Sequence, residues 1–585
     1  MSTITPLLAI SAPASLSVPK IPMASAPHGD APEERNAAAP AKRASAPITE
    51  AGIGAEFAHH DGTVARVNNG TFGCCPASVL AARARWQRLF LSEPDAFYFD
   101  SLQPGLARSR AAVAAAVGAC DASEVSLVDN ATTAAAIIMQ HVAWSFAEGA
   151  FARGDVVLML HYTYSSVKNS IHAYVVRAGA TVVEVPLPFP GASPGAVVAE
   201  FRAALALAKA GGRSVRLAVI DHITSMPSVL LPVKELVAIC REEGVDKVFV
   251  DGAHAIGQVP IDVRDIGTDF YTSNLHKWFF CPSAVAFLHI RKDDPIASQL
   301  HHPVVSSEYG NGLPMESAWI GVRDYSAQLV VPDAVDFMSR FEGGIEGISR
   351  RNHDKVIEMG TMLAEAWGTF LGSPPEMCGS MAMVGLPGCL GIESNGDAMR
   401  VRDMLRNEFK VEVPIFHNSR SVEEGQEMAK DAKGDQVTGY VRISHQVYNV
   451  REEYEALRDA VHKLVRDGFS CSKLRPSGKL FASAAQESSS CRRVMVSLRK
   501  MKAFLHFHSC QQQRATNMLC RVGTALILRK EWMSRVEIPV WGKWTPMLFQ
   551  NCDALSQKNS RCSGVSSITP LRRKRHRPSC PPYAS

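Results

Sequence analysis

Residues 248–280 read VFVDGAHAIGQVPIDVRDIGTDFYTSNLHKWFF, and a few side chains in that run have the types and spacing to do chemistry together. Asp251 and His254 follow a short β-branched strand. Lys277 comes 26 residues after Asp251, next to His276 and just before Trp278, Phe279 and Phe280. Bulky apolar neighbours desolvate a lysine, lower its pKa and favour a neutral amine that can form a Schiff base. An acid at a strand end can keep a pyridinium nitrogen protonated, as the electron-sink chemistry of pyridoxal phosphate requires. Taken singly, Asp251 reads as a turn or capping residue and Lys277 as a structural or surface one. Their spacing with His276 joins them into one candidate site.

Such a site needs a scaffold, and the flanking sequence predicts an α/β one. Residues 155–160 (DVVLML), 180–186 (ATVVEVP), 215–220 and 248–250 read as strands, with helix-like stretches over 165–178 and from Pro232 to the stop at Gly244. Strand, helix and strand at this spacing imply a parallel sheet with crossover helices. Ligands of such sheets gather at the carboxyl ends of the strands, where Asp251 falls. At residues 129–136 (DNATTAAA) polar residues open an Ala-rich helix. Its free N–H groups and the hydroxyls of Thr132 and Thr133 can cradle a phosphate, although the same pattern describes a simple helix cap. Residues 111–119 read as an interior helix. Helical patterns with short strands near 382–386 and 440–443 suggest a second, smaller α+β domain. No internal repeat, phosphate-binding Walker loop or GxGxxG after a strand is visible.

Charge divides the chain more sharply than these patterns do. The sequence carries 62 Lys and Arg against 57 Asp and Glu, a formal +5. From residue 471 to the end there are 21 basic and 4 acidic side chains, leaving 41 and 53 before that point. The body is thus an acidic protein at −12 and the tail is basic at +17. Seven of the 14 cysteines lie in that tail, and the other seven form no CxxC pair, which fits a reducing compartment and argues against a structural metal site. No apolar run reaches the roughly 18 residues needed to span a bilayer. Four segments are expected: an Ala/Ser/Pro-rich leader over 1–46, a large α/β domain over 47–340, a small α+β domain over 341–470, and a tail over 471–585. Both termini are expected to be disordered. The leader reads equally as a transit peptide, which implies mitochondrion or plastid, or as a plain leader of a cytoplasmic protein. The tail's LRRKRHR run (571–577) reads mainly as a solvated basic stretch, so no nucleic-acid partner is expected.

The acidic body from about residue 67 to 466 resembles the class V aminotransferases, fold-type I pyridoxal-phosphate enzymes. RVNNGTFG (66–73), SNLHKWFFCPSAVAF (273–287), HHPVVSSEYGNGLPMESAWIG (301–321) and YVRISHQVYN (440–449) carry the resemblance, and within the family they are similar to the plant L-cysteine desulfhydrase group. The resemblance makes Lys277 the lysine that holds pyridoxal 5'-phosphate as an internal aldimine and Asp251 the partner of the ring nitrogen. It places His254 and Ser225 near the ring hydroxyl, and His276 with Ser273 or Asn274 at the phosphate. The ring-stacking aromatic is Tyr162 or Tyr164, with the family pattern favouring Tyr164. Arg442 is similar to the arginine that clamps a substrate α-carboxylate, which a guanidinium binds bidentately, and Asn69 is implied to approach the same group. A homodimer is implied as well. Many relatives read Gly-Thr-Arg-Asp where this chain has Gly321, Val322, Arg323 and Asp324, so a hydroxyl contact to the neighbouring subunit's phosphate is missing here.

Residue chemistry alone leaves β-elimination, racemisation and transamination open. Cysteine desulfurases carry a nucleophilic Cys on a loop between the lysine and the Gly-Thr motif, but residues 282–321 hold no cysteine, and Cys281 lies in an apolar FFCP context. The resemblance favours β-elimination of L-cysteine to hydrogen sulfide, pyruvate and ammonia. The alternatives are another class V enzyme (an amino-acid epimerase, selenocysteine lyase or cysteine desulfurase) or a catalytically dead scaffold.

Overall fold

Seven strands form the main sheet of the computed structural model, which describes residues 47–418 and 429–474. They are β1 (Val125–Val128), β2 (Val156–Leu160), β3 (Thr181–Val185), β4 (Val215–Asp221), β5 (Lys247–Asp251), β6 (Phe270–Asn274) and β7 (Ala286–Ile290). Their order across the sheet is β1-β7-β6-β5-β4-β2-β3. All neighbours run parallel except β7, which is antiparallel to both β1 and β6. Alternate residues of β2 enter different cores: Val156, Leu158 and Leu160 pack on one face, Val157 and Met159 on the other. A sheet covered on both faces needs continuous apolar strands, which is why β2 reads VVLML.

The helix expected over 165–178 is α-helical through Ser165–Ser170 and continues as a π-helical stretch, Ile171–Val176. The Ala-rich run belongs to helix Leu102–Val117, ended by Gly118 in the left-handed region. Pro232 stands just ahead of helix Val233–Glu242, whose Leu236, Val237, Ile239 and Cys240 are buried.

A second sheet contains β8 (Met381–Gly385), β9 (Ile415–His417) and β10 (Gly439–Ser444), antiparallel in the order β9-β10-β8. Helices Gly344–Trp367 and Arg451–Arg466 share its apolar core. The segment before Gly73 reaches both sheets, with the Asn69 side chain bonded to the Lys277 carbonyl just past β6. Ala65–Arg66 pairs with Val411–Glu412, and the Ser444 N–H donates to the Val67 carbonyl. Among the described residues no helix is long and apolar enough to cross a membrane, and no cluster of three potential metal ligands occurs. The leader 1–46 and nearly all of the tail, with its basic run, lie outside the described residues.

Candidate active site

The carboxyl ends of β4, β5 and β6 open into a cavity of about 180 Å³. Asp221, Asp251 and Asn274, the last residues of those strands, all line it. Directly after β6 a single helical turn, Leu275–Trp278, carries His276 and Lys277 into the same space. This turn is anchored by burial. Trp278, Phe279 and Phe280 are essentially inaccessible, and each such side chain contributes roughly 1.5–3 kcal/mol. Trp278 packs with Met381 of β8, so the lysine's helix is wedged against the second sheet. Phe280 takes φ +59°, an uncommon conformation that turns the chain back toward β7. Gly73 (φ +73°) lies so close to this turn that a Cβ there would strike the His276 carbonyl.

Electrostatics in the cavity follow from burial. Desolvation, reinforced by the Arg442 charge, lowers the Lys277 pKa to about 7, while Asp251 opposes the shift. The amine is therefore largely neutral at slightly alkaline pH. Its Nζ lies 3.0 Å from Nε2 of His254, whose own pKa burial and the Lys277 charge push well down. The buried His254 Nδ1 has no hydrogen-bond partner among the described residues. Asp251 accepts the Ala253 N–H at 2.9 Å; burial raises its pKa, and this N–H and Lys277 pull it back.

At the other end of the cavity, helix Ala131–Ala147 starts with Asn130 accepting the Thr133 N–H at 2.9 Å. The Ala131 N–H is taken by Asn274 Oδ1, also at 2.9 Å. Thr132 lines the cavity, its hydroxyl 2.9 Å from that of Ser166. Together with His276, these groups make an anion-binding corner of the kind helix N-termini provide.

Arg442, on β10, is 3% exposed and lies behind this cavity. Its Nη1 donates to the Ser225 carbonyl at 2.8 Å, and Nη2 donates to the Thr71 hydroxyl at 2.6 Å and to Asn68 Oδ1 at 3.4 Å. Nε has no partner among the described residues. Thr71 and Ser225 line the cavity, so they stand between it and the guanidinium.

The structure thus gathers Lys277, Asp251, His254, Thr132, Tyr164, Ser225 and His276 around one cavity. Three expected residues are placed differently. The Ser273 hydroxyl donates to the Gly252 carbonyl and accepts the Ile256 N–H, so it faces the β5 loop and Asn274 lines the cavity instead. The Thr133 hydroxyl is turned into the helix cap on Asn130. Asn69 donates to the Lys277 carbonyl at 3.1 Å and accepts from Tyr448, while Asn68 and Thr71 take the place at Arg442 foreseen for it. Of the two tyrosines, Tyr164 lines the cavity and Tyr162 bonds to Asn418 and packs near Phe416. Val322 is exposed, and its neighbour Arg323 is paired with Asp129 at 3.0 Å. Sequence reasoning passed over Asp221, Thr71 and Ser166, although the strand-end argument that singled out Asp251 applies equally to Asp221.

These groups fit pyridoxal 5'-phosphate. There is a desolvated neutral amine for its aldehyde, a buried acid for its ring nitrogen, an unpartnered imidazole nitrogen, and an anion corner for its phosphate. A mostly parallel seven-stranded sheet with its lysine just past a strand end defines a fold-type I pyridoxal-phosphate enzyme. The sequence model described as "Aminotransferase class-V" matches residues 101–310. An Oryza sativa subsp. japonica protein named "Putative L-cysteine desulfhydrase 2" is 81% identical over 74% of this chain and 91% of its own length. The Arabidopsis thaliana "L-cysteine desulfhydrase" is 55% identical over 76% of this chain and 98% of its own. The chain belongs to the class-V aminotransferase family. The fold is shared with an apo cysteine desulfurase from Thermococcus onnurineus NA1, at a TM-score of 0.54 and 18% identity over 69% of this chain and 95% of that one.

Proposed function

We propose that this protein is a pyridoxal-phosphate-dependent L-cysteine desulfhydrase, which converts L-cysteine and water to hydrogen sulfide, pyruvate and ammonia. The observation that carries the chemistry is the buried Lys277 amine, 3.0 Å from His254 and enclosed with Asp251, where burial lowers its pKa to about 7. The choice of substrate is supported by the names of relatives 55–81% identical to the chain.

Lys277 and Asp251 would hold the cofactor's aldehyde and ring nitrogen, with Thr132, Ser166 and His276 at its phosphate and Tyr164 against its ring. Bound pyridoxal phosphate supplies an electron sink for the pair left when a Cα–H bond breaks. The Lys277 Nζ, largely uncharged at slightly alkaline pH, accepts the Cα proton as a general base. Arg442 fixes the substrate α-carboxylate and so orients the Cα–H bond toward Nζ. The sulfur leaves as sulfide. Of the cysteines near the lysine, Cys281 is buried and burial pushes its thiol pKa well up, so it packs rather than accepts sulfur.

A homodimer is part of this reading. The strongly exposed Phe72, Val305 and Val322 would be covered in one, and Phe72 adjoins Thr71 in sequence. Analytical ultracentrifugation of the reconstituted protein tests it; a monomer at micromolar concentration contradicts it. The activity is tested by supplying pyridoxal phosphate and L-cysteine. Sulfide and pyruvate should appear with the intact protein and not with Lys277→Ala, and cofactor uptake without either product refutes the assignment.

A further inference from the structure

Parallel strands β4 and β5 set Asp221 directly opposite Asp251. Side chains at paired positions leave the same face of a sheet, and neighbouring strands are about 4.7–4.9 Å apart. Two carboxyls therefore share one wall of the cavity; both line it and each is 3% exposed. Two acids so close, away from water, do not both ionise, and the proton stays where negative charge is less well stabilised.

The surroundings decide which one keeps it. Asp251 has the Ala253 N–H at 2.9 Å and lies within the influence of Lys277. Asp221 has the Thr163 hydroxyl on Oδ2 at 3.0 Å, and that hydroxyl is itself held by the Leu160 N–H at 3.1 Å. Burial, then the Asp251 charge, pushes the Asp221 pKa well up, against the Thr163 hydroxyl, its own backbone N–H and the Lys168 charge; burial raises the Asp251 pKa as well.

We propose that Asp221 is a positioning residue that stays protonated beside Asp251, so that the pair carries one negative charge and that charge rests on Asp251. The inference rests on the reading of this cavity as a pyridoxal-phosphate site, where Asp251 faces the ring nitrogen. A second ionised acid would place two negative charges on one wall of the cavity. A neutral Asp221 holds Asp251 as the single anion and keeps water off it.

The test begins with the full-length apo-protein at neutral pH. Infrared difference spectra of wild type minus Asp221→Asn should show a protonated carboxyl C=O band; carboxylate bands in its place overturn the proposal. Should Asp221→Asn fail to fold, NMR of wild-type protein labelled with ¹³C at the aspartate carboxyls reads the same state. One aspartate resonance should stay at the protonated position until alkaline pH, and its absence overturns the proposal. Pyridoxal phosphate titrations then separate the two acids. Asp251→Asn should weaken binding at least about tenfold and Asp221→Asn less than about threefold, and the reverse order overturns the assignment. If the wild-type protein takes up no cofactor, the functional reading fails while the infrared result still decides the protonation of Asp221.

Discussion

The two sheets contribute to the site in opposite ways. The large sheet supplies Asp221, Asp251, Asn274 and Lys277 from strand ends or the turn that follows, with positions fixed by backbone ladders and fully buried aromatics. Its groups are tuned by desolvation, as the Lys277 pKa of about 7 shows. The small sheet supplies Arg442, whose partners are side-chain hydroxyls and a carbonyl that an incoming carboxylate can replace. Burial lowers its pKa only to about 10, so it stays charged at any physiological pH. In the proposed function, one region prepares the reacting groups before any ligand arrives, and the other keeps a charge in reserve for the substrate.

The largest effect should come from the prepared side. Lys277→Ala removes both the covalent anchor and the general base, and activity should fall at least about 10³-fold. Exogenous amines that restore part of the rate would confirm the proton-transfer role. Arg442→Lys tests the reserve side. Loss of bidentate binding should lower kcat/KM about 10²-fold, mostly through KM. A fall confined to kcat would instead put Arg442 among the reacting groups.

Acidity gives a prediction of intermediate size. The folded Lys277 pKa is depressed from 10.5 to about 7, so the neutral amine gains roughly tenfold per pH unit below that value and saturates above it. Capture of added pyridoxal phosphate by the apo-protein should rise with pH up to about 7 and then level off. A rise that continues to pH 10 would mean a solvated lysine. The sign for stability is the same: between about pH 7 and 10.5 the unfolded chain binds a proton that the folded chain does not, so this group lowers apo-protein stability as pH falls through that window.

The smallest effect lies at the boundary of the two regions. Thr71→Val removes the hydroxyl that occupies Arg442 in the resting protein, and KM for L-cysteine should fall by no more than about fivefold. A tenfold rise would show that the hydroxyl itself holds substrate.

Much of this was legible because the large sheet follows local rules. Continuous apolar runs marked β2 and β5, and the strand-end rule marked Asp251. Strands β1, β6 and β7 escaped notice. β6 reads FYTSN and ends in polar residues, of which Asn274 lines the site, while β1 is only four residues long. The difference between Asn69 and its neighbours Asn68 and Thr71 was not legible, since it depends on how residues 68–73 fold between Lys277 and Arg442, partners more than 200 positions away. The same holds for Ser273 and Asn274: adjacent strand residues face opposite ways, and only the register decides which one meets the cavity.

In the proposed reaction, sulfur leaves as free sulfide and never resides on a protein thiol. A single turnover of the reconstituted protein with ³⁵S-labelled L-cysteine tests it directly. All label should appear as free sulfide, matched one to one by pyruvate, and Cys281→Ala should not change that ratio. Label retained on the protein until a thiol reductant is added, with alanine in place of pyruvate, would mean that a protein persulfide carries the sulfur.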